Sequence, residues 1–166
     1  MKALILTIVA SAALAFAGCG DDDSNESSTG TGEATVAQSD QTDTKVKPVV
    51  EVPDADPPTV LVEEELVEGT GPAAKKGDEV TVQYVGVGYE SGEEFDASWD
   101  RGEPFTFQLG AGQVIKGWDE GVEGMKVGGR RQLTIPPDLA YGEAGSPPVI
   151  GPEETLIFVV DLVAAK

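Results

Sequence analysis

The stretch VIKGWDEGVEGM, from Val114 to Met125, contains one of the two tryptophans of the chain. Ile115, Trp118 and Val122 recur at helical spacing, so a short helix here has one apolar face. Its charged residues are predicted to face water: Lys116, Asp119, Glu120 and Glu123. Because an isolated helix of this length is marginal in water, we expect packing against other elements to hold it.

Five segments around this stretch have the pattern of β-strands. In DEVTVQYVGVGY, Val80, Val82 and Tyr84 alternate with Thr81 and Gln83, which is the period of a half-buried strand. The other four segments are TVLVEEELVEGTG, PFTFQLG, RRQLTIPP and TLIFVVDLVA. Many strands and one helix predict the α+β class, with a mostly antiparallel curved sheet packed on the helix.

The first 18 residues have the layout of a signal peptide. Lys2 precedes sixteen residues without charge, and a membrane-spanning helix, the second choice, would usually need about 20 apolar residues. The run FAGC resembles the lipobox of bacterial lipoproteins, although the motif usually has Leu where Phe16 stands. The resemblance implies that Cys19 is lipidated and becomes the new N-terminus; the alternative is a secreted protein that is cleaved nearby.

Residues 19–58 are predicted to be a disordered acidic tether. From residue 20 onward they hold ten acidic side chains against Lys45 and Lys47, and almost no large apolar ones. Such a segment cannot bury enough surface to offset the entropy of ordering it. Its end, KPVVEVPDADPP, is stiffer because of its prolines. Residues 59–166 are predicted to form the folded domain.

Charge and composition exclude several classes of function. The chain has 11 Lys plus Arg against 30 Asp plus Glu, a formal charge of −19, which argues against nucleic-acid binding. It has no histidine and one cysteine, so Cys/His zinc sites and Ser-His or Cys-His catalysis are excluded. We therefore expect neither a metal nor a cofactor, and the strong negative charge is consistent with a monomer.

Several motifs, the helix among them, occur in the order typical of a known family. The run VTVQYVGVGYESGEEFDASWDRGEPFTFQLGAGQVIKGWDEGVEGMKVGGRRQLTIPPDLAYG resembles the FKBP family of peptidyl-prolyl cis–trans isomerases. The motifs that carry the resemblance are FDAS at Phe95, PFTFQLG at Pro104, VIKGWDEG at Val114, IPPDLAYG at Ile135 and TLIFVVDL at Thr155. The resemblance covers about residues 60–165. It implies a five-stranded, mostly antiparallel sheet wrapped around one short helix, with an apolar pocket between them.

The resemblance also implies which side chains form the pocket. Trp118 is expected at its floor beneath a proline ring, with Gly117 allowing close backbone packing. The catalytic side chains would be Phe95, Asp96, Tyr141 and Phe158. The substrate-binding ones would be Tyr84, Arg101, Phe105, Val114, Ile115, Trp118 and Ile150. Asp96 is expected to be a buried carboxylate held by Arg101 and Tyr84, and Tyr141 to donate its hydroxyl to a substrate carbonyl.

Three departures from the family pattern affect the surroundings of the pocket. The segment between Tyr84 and Phe95 is one residue longer, which predicts a bulge or an altered hairpin at residues 86–90. The loop GEAGSPPVIGP, residues 142–152, is expected to overhang the pocket, with Ser146 where the family often has a larger side chain. Gln113 replaces an acidic residue of some members.

Two functions remain open at this point. The first is an isomerase that rotates X-Pro bonds of secreted or envelope proteins; the second is a non-catalytic module that binds proline segments or FK506-like macrolides at the cell surface. The complete aromatic lining together with Asp96 and Tyr141 favours the enzyme. The expected partners are proline-containing polypeptides and possible macrolides, with no nucleic acid and with membrane contact only through the lipid anchor. The expected location is extracytoplasmic, at the cell membrane.

Overall fold

One antiparallel sheet organises the part of the chain, residues 42–166, that the computed structural model describes. Its strands are β1 (Val62–Val67), β2 (Glu79–Gly88), β3 (Glu94–Ala97), β4 (Phe105–Gln108), β5 (Arg130–Ile135) and β6 (Leu156–Ala165). Neighbouring strands follow the order β1-β5-β6-β2-β3, and β4 also pairs with β2. The predicted curved antiparallel sheet with a short helix is confirmed, but the sheet has six strands instead of five.

The additional strand is β3, which the sequence patterns did not reveal. It has four residues, too few for a period to be read, and it pairs with β2. A four-residue helix, α1 (Ser98–Arg101), separates β3 from β4, which pairs with the other half of β2. The pairing of β2 with β3 shifts register between Gly86 and Val87, which confirms the predicted bulge.

The predicted helix is present but shorter than the apolar pattern suggested. α2 (Lys116–Gly121) has six residues and packs against β5. A Cβ atom on Gly117 would lie 2.4 Å from a methyl group of Ile135, so glycine is required for this approach. Trp118 is 4% exposed and belongs to the inner core, which fills the space between α2 and the sheet.

Asp119 does not face water as predicted. Its two carboxylate oxygens accept hydrogen bonds from the backbone N–H groups of Gly110 (2.8 Å) and Gly112 (3.0 Å), and the residue is half-buried. Both glycines have positive φ, a conformation that turns the loop before α2 back toward the helix. Asp119 therefore fastens this loop to α2, a role that a helical pattern cannot indicate.

The outer face of the sheet is covered by an extended segment, residues 46–55, which we call the strap. Val50 and Val52 of the strap pack against an outer cluster made of Val85, Val87, Tyr89, Ala97 and Ile157. The Tyr89 hydroxyl donates a hydrogen bond to the carbonyl of Ala55 at 3.2 Å. The sequence predicts a tether up to residue 58, whereas this part of it lies on the domain. The physical reason is that Pro48, Val50 and Val52 alternate with exposed neighbours, which gives the strap one apolar side.

A buried ion pair lies on the same outer face. Arg130 and Asp161 are opposite each other on β5 and β6, and their two contacts measure 2.6 Å from Nε to Oδ1 and 2.9 Å from Nη2 to Oδ2. The side chains are 0% and 3% exposed. Burial raises the pKa of Asp161, and the Arg130 guanidinium opposes that shift. Arg130 also donates to the carbonyl of Val46 at 2.8 Å, so the strap supplies an acceptor to a buried charge.

The predicted signal peptide and Cys19 lie outside the described residues. Within residues 42–166, none of the helices has the length and apolar character needed to cross a membrane.

We predict that the strap stabilises the folded domain. A fragment of residues 59–166 is expected to have a free energy of unfolding about 2–4 kcal/mol lower than a fragment of residues 42–166. The loss has two causes: partial re-exposure of Val50, Val52 and their partners, and the loss of the hydrogen bonds that Arg130 and Tyr89 donate to the strap carbonyls. Urea unfolding of both fragments measures the difference. Equal stability of the two fragments would show that the strap contributes nothing.

Candidate active site

A pocket opens between the inner face of the sheet and α2. It encloses about 210 Å³. Its lining consists of Tyr84, Phe95, Asp96, Phe105, Gln113, Val114, Ile115, Trp118, Tyr141 and Phe158. Most of these side chains are aromatic or aliphatic, and they come from four strands, from α2 with the three residues before it, and from the segment after β5. The volume suits a small ring and its immediate neighbours rather than a large cofactor.

Trp118 forms the floor of the pocket. The Tyr84 ring lies 5.0 Å from the indole, and the Phe158 ring lies 5.2 Å from it, both nearly perpendicular. Such edge-to-face contacts are favourable and fix the orientation of the indole plane. The Trp118 Nε1–H has no hydrogen-bond partner within residues 42–166. The face of the indole is therefore a flat apolar surface whose orientation these ring contacts fix.

Phe95 and Phe158 form the next part of the wall. Their rings lie 5.5 Å apart and nearly perpendicular. A Cβ atom on Gly86 would lie 2.7 Å from an atom of each ring, so only glycine at this point of β2 leaves room for the pair. The register shift between β2 and β3 begins at this same glycine.

The polar part of the pocket is a network of three side chains. The Tyr84 hydroxyl donates to Oδ2 of Asp96, and Nη1 of Arg101 donates to its Oδ1. Nη2 of Arg101 donates to the Tyr84 hydroxyl oxygen at 2.8 Å, which closes a triangle. The backbone N–H of Tyr84 donates to Oγ of Ser98 at 2.8 Å, which ties α1 to β2.

The network is more exposed than the sequence predicts. The side chains of Asp96 and Arg101 are 42% and 48% exposed, so Asp96 is not the buried carboxylate that we expected. The reason is that β3 lies at the edge of the sheet, and a side chain on an edge strand has protein on fewer sides. Each carboxylate oxygen of Asp96 already accepts one hydrogen bond from the network. The remaining lone pairs of these oxygens are available to solvent or to a bound molecule.

The charges of the network are set by burial and by the three hydrogen bonds. Burial raises the pKa of Tyr84 above its ordinary value of 10.0, and the hydrogen bond to Asp96 raises it further, while Arg101 acts in the opposite direction. The hydrogen bonds to Tyr84 and Asp96 raise the pKa of Arg101. The phenol is therefore neutral and the guanidinium charged at physiological pH.

Tyr141 lies at the open side of the pocket. The residue is 42% exposed, and its hydroxyl has no hydrogen-bond partner among the described residues. Val149 and Pro148, in the loop that was expected to overhang the pocket, line a neighbouring cavity that shares Phe95 with it. The hydroxyl is thus free to donate to a bound molecule.

The structure brings most of the expected site residues together. Nine of them line the pocket: Tyr84, Phe95, Asp96, Phe105, Val114, Ile115, Trp118, Tyr141 and Phe158. Arg101 does not line the pocket but binds two residues that do. Ile150 is 5% exposed and packs in the inner core. Cys19 lies outside the described residues.

Gln113 lines the pocket although it was not among the expected site residues. Its side-chain oxygen accepts a hydrogen bond from the backbone N–H of Gln108 at 3.0 Å, which joins the approach to α2 to the end of β4. The signal that could have found it is its position directly before Val114 and Ile115. Within the described part of the chain there is no group of three or more side chains that could hold a metal ion.

Comparisons with known proteins agree with this geometry. Residues 71–163 match the family described as FKBP-type peptidyl-prolyl cis-trans isomerase. An FK506-binding protein of Streptomyces anulatus is 60% identical over 119 residues, which cover 71% of this chain and 96% of that protein. A probable FK506-binding protein of Corynebacterium glutamicum is 52% identical over 120 residues, which cover 72% and 98% of the two chains. A match of 119 residues to a chain of 166 must begin near residue 49 or earlier, so it includes part of the strap.

A solved structure shows the same fold. The crystal structure of AtFKBP13 superposes with a TM-score of 0.60 at 39% identity, covering 65% of this chain and 98% of that one. The family match, the relatives and the superposition all fall on the domain that carries the pocket. The chain belongs to the FKBP-type peptidyl-prolyl cis–trans isomerase family.

Proposed function

We propose that this isomerase acts on X-Pro bonds of secreted or envelope polypeptides and is held at the membrane by a lipid on Cys19. The observation that carries the enzymatic part is the pocket, in which a flat indole floor lies beside the Tyr84–Asp96–Arg101 network. A proline ring fits an apolar floor, and the peptide bond that precedes it would then lie near the polar side.

The reaction requires rotation and no bond cleavage. Rotation about a peptide C–N bond meets a barrier of roughly 18–20 kcal/mol because it destroys the resonance of the amide. Uncatalysed X-Pro exchange takes tens to hundreds of seconds. The planar amide is more charge-separated than the twisted one, so replacing water with an apolar pocket disfavours the planar ground state. This part of the catalysis is assigned to Trp118, Phe95 and Phe158.

The polar groups act on the two sides of the rotating bond. Tyr141 is assigned to hold a substrate carbonyl through its free hydroxyl. Asp96 is assigned to polarise the twisting amide, while Arg101 and Tyr84 hold the carboxylate in place. Interactions that are stronger in the twisted state than in the planar one lower the barrier, which is how such groups raise kcat.

The same pocket is proposed to bind macrolides. The relatives from Streptomyces and Corynebacterium are named for binding FK506, and the pocket residues are present in this chain. FK506 should therefore compete with a proline peptide for the floor above Trp118.

We predict that Asp96→Ala lowers kcat/KM for an X-Pro peptide roughly tenfold, which corresponds to about 1.4 kcal/mol of transition-state stabilisation. The fold should persist because Asp96 is half-exposed on an edge strand. A coupled isomerisation assay measures the rate, and circular dichroism monitors the fold. Asp56→Ala removes the same charge at an exposed site far along the chain and should have wild-type activity.

Two outcomes would separate the proposals. Unchanged turnover in Asp96→Ala would contradict the catalytic role of that carboxylate. A folded wild-type protein that binds FK506 without turning over the peptide would leave the alternative of a non-catalytic binding module.

We predict that activity does not change between about pH 6 and pH 9. The chain has no histidine, and the pKa values of Tyr84 and Arg101 are both raised, so neither the phenol nor the guanidinium changes its charge in that range. Because the shift favours the protonated phenol, its contribution is complete below pH 10.0 and is lost only as the pH rises through the raised value. A pH profile of kcat/KM checks this, and an inflection near neutral pH would contradict it.

The proposed location depends on Cys19. We predict that mass spectrometry of the mature protein from membranes of a bacterial host finds diacylglycerol on Cys19 as the first residue. Several acyl chains together anchor a protein stably, since each buried CH₂ contributes about 0.8 kcal/mol. Cys19→Ser should remove the lipid and leave the protein out of the membrane fraction. An unmodified N-terminus downstream of Cys19 would refute the anchor.

A further inference from the structure

Lys47 connects the strap to the two elements that carry the polar network. Its Nζ lies 2.9 Å from Oε1 of Glu94 and 2.7 Å from Oδ1 of Asp100. Glu94 begins β3, two residues before Asp96, and Asp100 directly precedes Arg101 in α1. One ammonium group therefore binds both β3, which carries Asp96, and α1, which carries Arg101. Like the rest of the strap, it lies on the outer face of the sheet, opposite the pocket.

α1 depends on contacts of this kind. It has four residues, no side-chain cap at its N-terminus, and too short a length to be stable alone. Trp99 packs with the outer cluster beside Val50 and Val52 of the strap. The helix is thus held on the outer side by the strap, and on the pocket side by the bonds of Arg101.

β3 has a similar weakness. It lies at the edge of the sheet and pairs with β2 through a register shift, so the ladder holds it only along one side. The contact between Lys47 and Glu94 adds support next to Asp96. Although burial lowers the pKa of the Lys47 ammonium, the hydrogen bonds to Asp100 and Glu94 outweigh it, so the group stays charged.

We propose that Lys47 is a positioning residue for the isomerase: by binding Glu94 and Asp100 it fixes β3 and α1, and thereby places the Asp96–Arg101 pair at the rim of the pocket. The inference rests on the proposed function, because the pair matters for turnover only if Asp96 acts on the rotating amide. Lys47 lies outside the residues that match the family, which begin at residue 71. Exposed ion pairs contribute little to global stability, so the expected effect is on geometry rather than on folding.

The test is Lys47→Met in the full chain, compared with Lys45→Met. Lys45 lies directly before the strap, is exposed and makes no ion pair within residues 42–166. Its replacement therefore removes the same charge without removing these contacts. Lys47→Met is expected to lower kcat about threefold to fivefold, with KM and the melting temperature nearly unchanged. Lys47→Arg, which keeps the charge, should restore most of the rate, and Lys45→Met should match the wild type.

A double-mutant cycle tests whether the effect passes through Asp96. In the Asp96→Ala background, Lys47→Met should cause no further loss, since two residues of one network have non-additive effects. Full additivity of the two substitutions, or equal losses in Lys45→Met and Lys47→Met, would overturn the proposal.

A measurement without substrate separates this inference from the proposed function. The guanidinium NMR signals of Arg101 should shift or broaden in Lys47→Met and keep their wild-type positions in Lys45→Met. Unchanged Arg101 signals in Lys47→Met would contradict the positioning role, whatever the turnover. A wild-type protein without turnover would instead contradict the isomerase proposal.

Discussion

The burial of Trp118 between α2 and the sheet is the contact on which the domain depends. α2 has six residues and cannot persist alone, so its place is set by the indole, which is 4% exposed beneath Tyr84 and Phe158. The close approach of Gly117 to Ile135 is possible only because no Cβ intervenes. Since the same indole is the pocket floor, the residue that closes the core also forms the binding surface. A substitution that loosens the core at this point must therefore also alter the pocket.

The two halves of the pocket have unequal mechanical support. The floor and most of the apolar wall are built on β2, β6 and α2, whose side chains are packed in the inner core. The polar half is carried by β3, an edge strand of four residues, and by α1, a helix of four residues. Its carboxylate and guanidinium are close to half exposed. The inner core therefore fixes the position of Asp96 less firmly than that of Trp118. The position of Asp96 depends more on contacts made outside the inner core.

The parts of the fold that sequence could predict are those with a readable period. Alternation in β2 identified Val80, Val82 and Tyr84 as core residues, and helical spacing identified Trp118. β3 and α1 were not predicted, because each has only four residues and so few positions show no recognisable periodicity. Asp119 was placed in water because its partners, Gly110 and Gly112, belong to a loop whose conformation no periodicity describes.

The site followed mainly from the order of the family motifs. That order named nine side chains that line the pocket, and no single segment would have done so. It did not give their exposure, since the accessibility of Asp96 depends on which strand forms the sheet edge. Nor did it place Ile150, whose side chain turns into the inner core instead of the pocket. Motifs identify which residues meet, whereas burial depends on elements that surround them.

The strap shows how an average over a segment can hide its structure. Residues 19–58 taken together are too polar to bury themselves, but the strap needs no core of its own because the outer face of the sheet is already formed. Pro48 and Pro53 restrict the unfolded strap, which reduces the entropy lost when it is ordered. Every second side chain from Pro48 to Val52 is at least half-buried, and an alternation of only five positions is not visible in the composition of a long segment. Within the described residues, the part of the chain that packs on the outer face of the sheet therefore begins near Val46 rather than at residue 59.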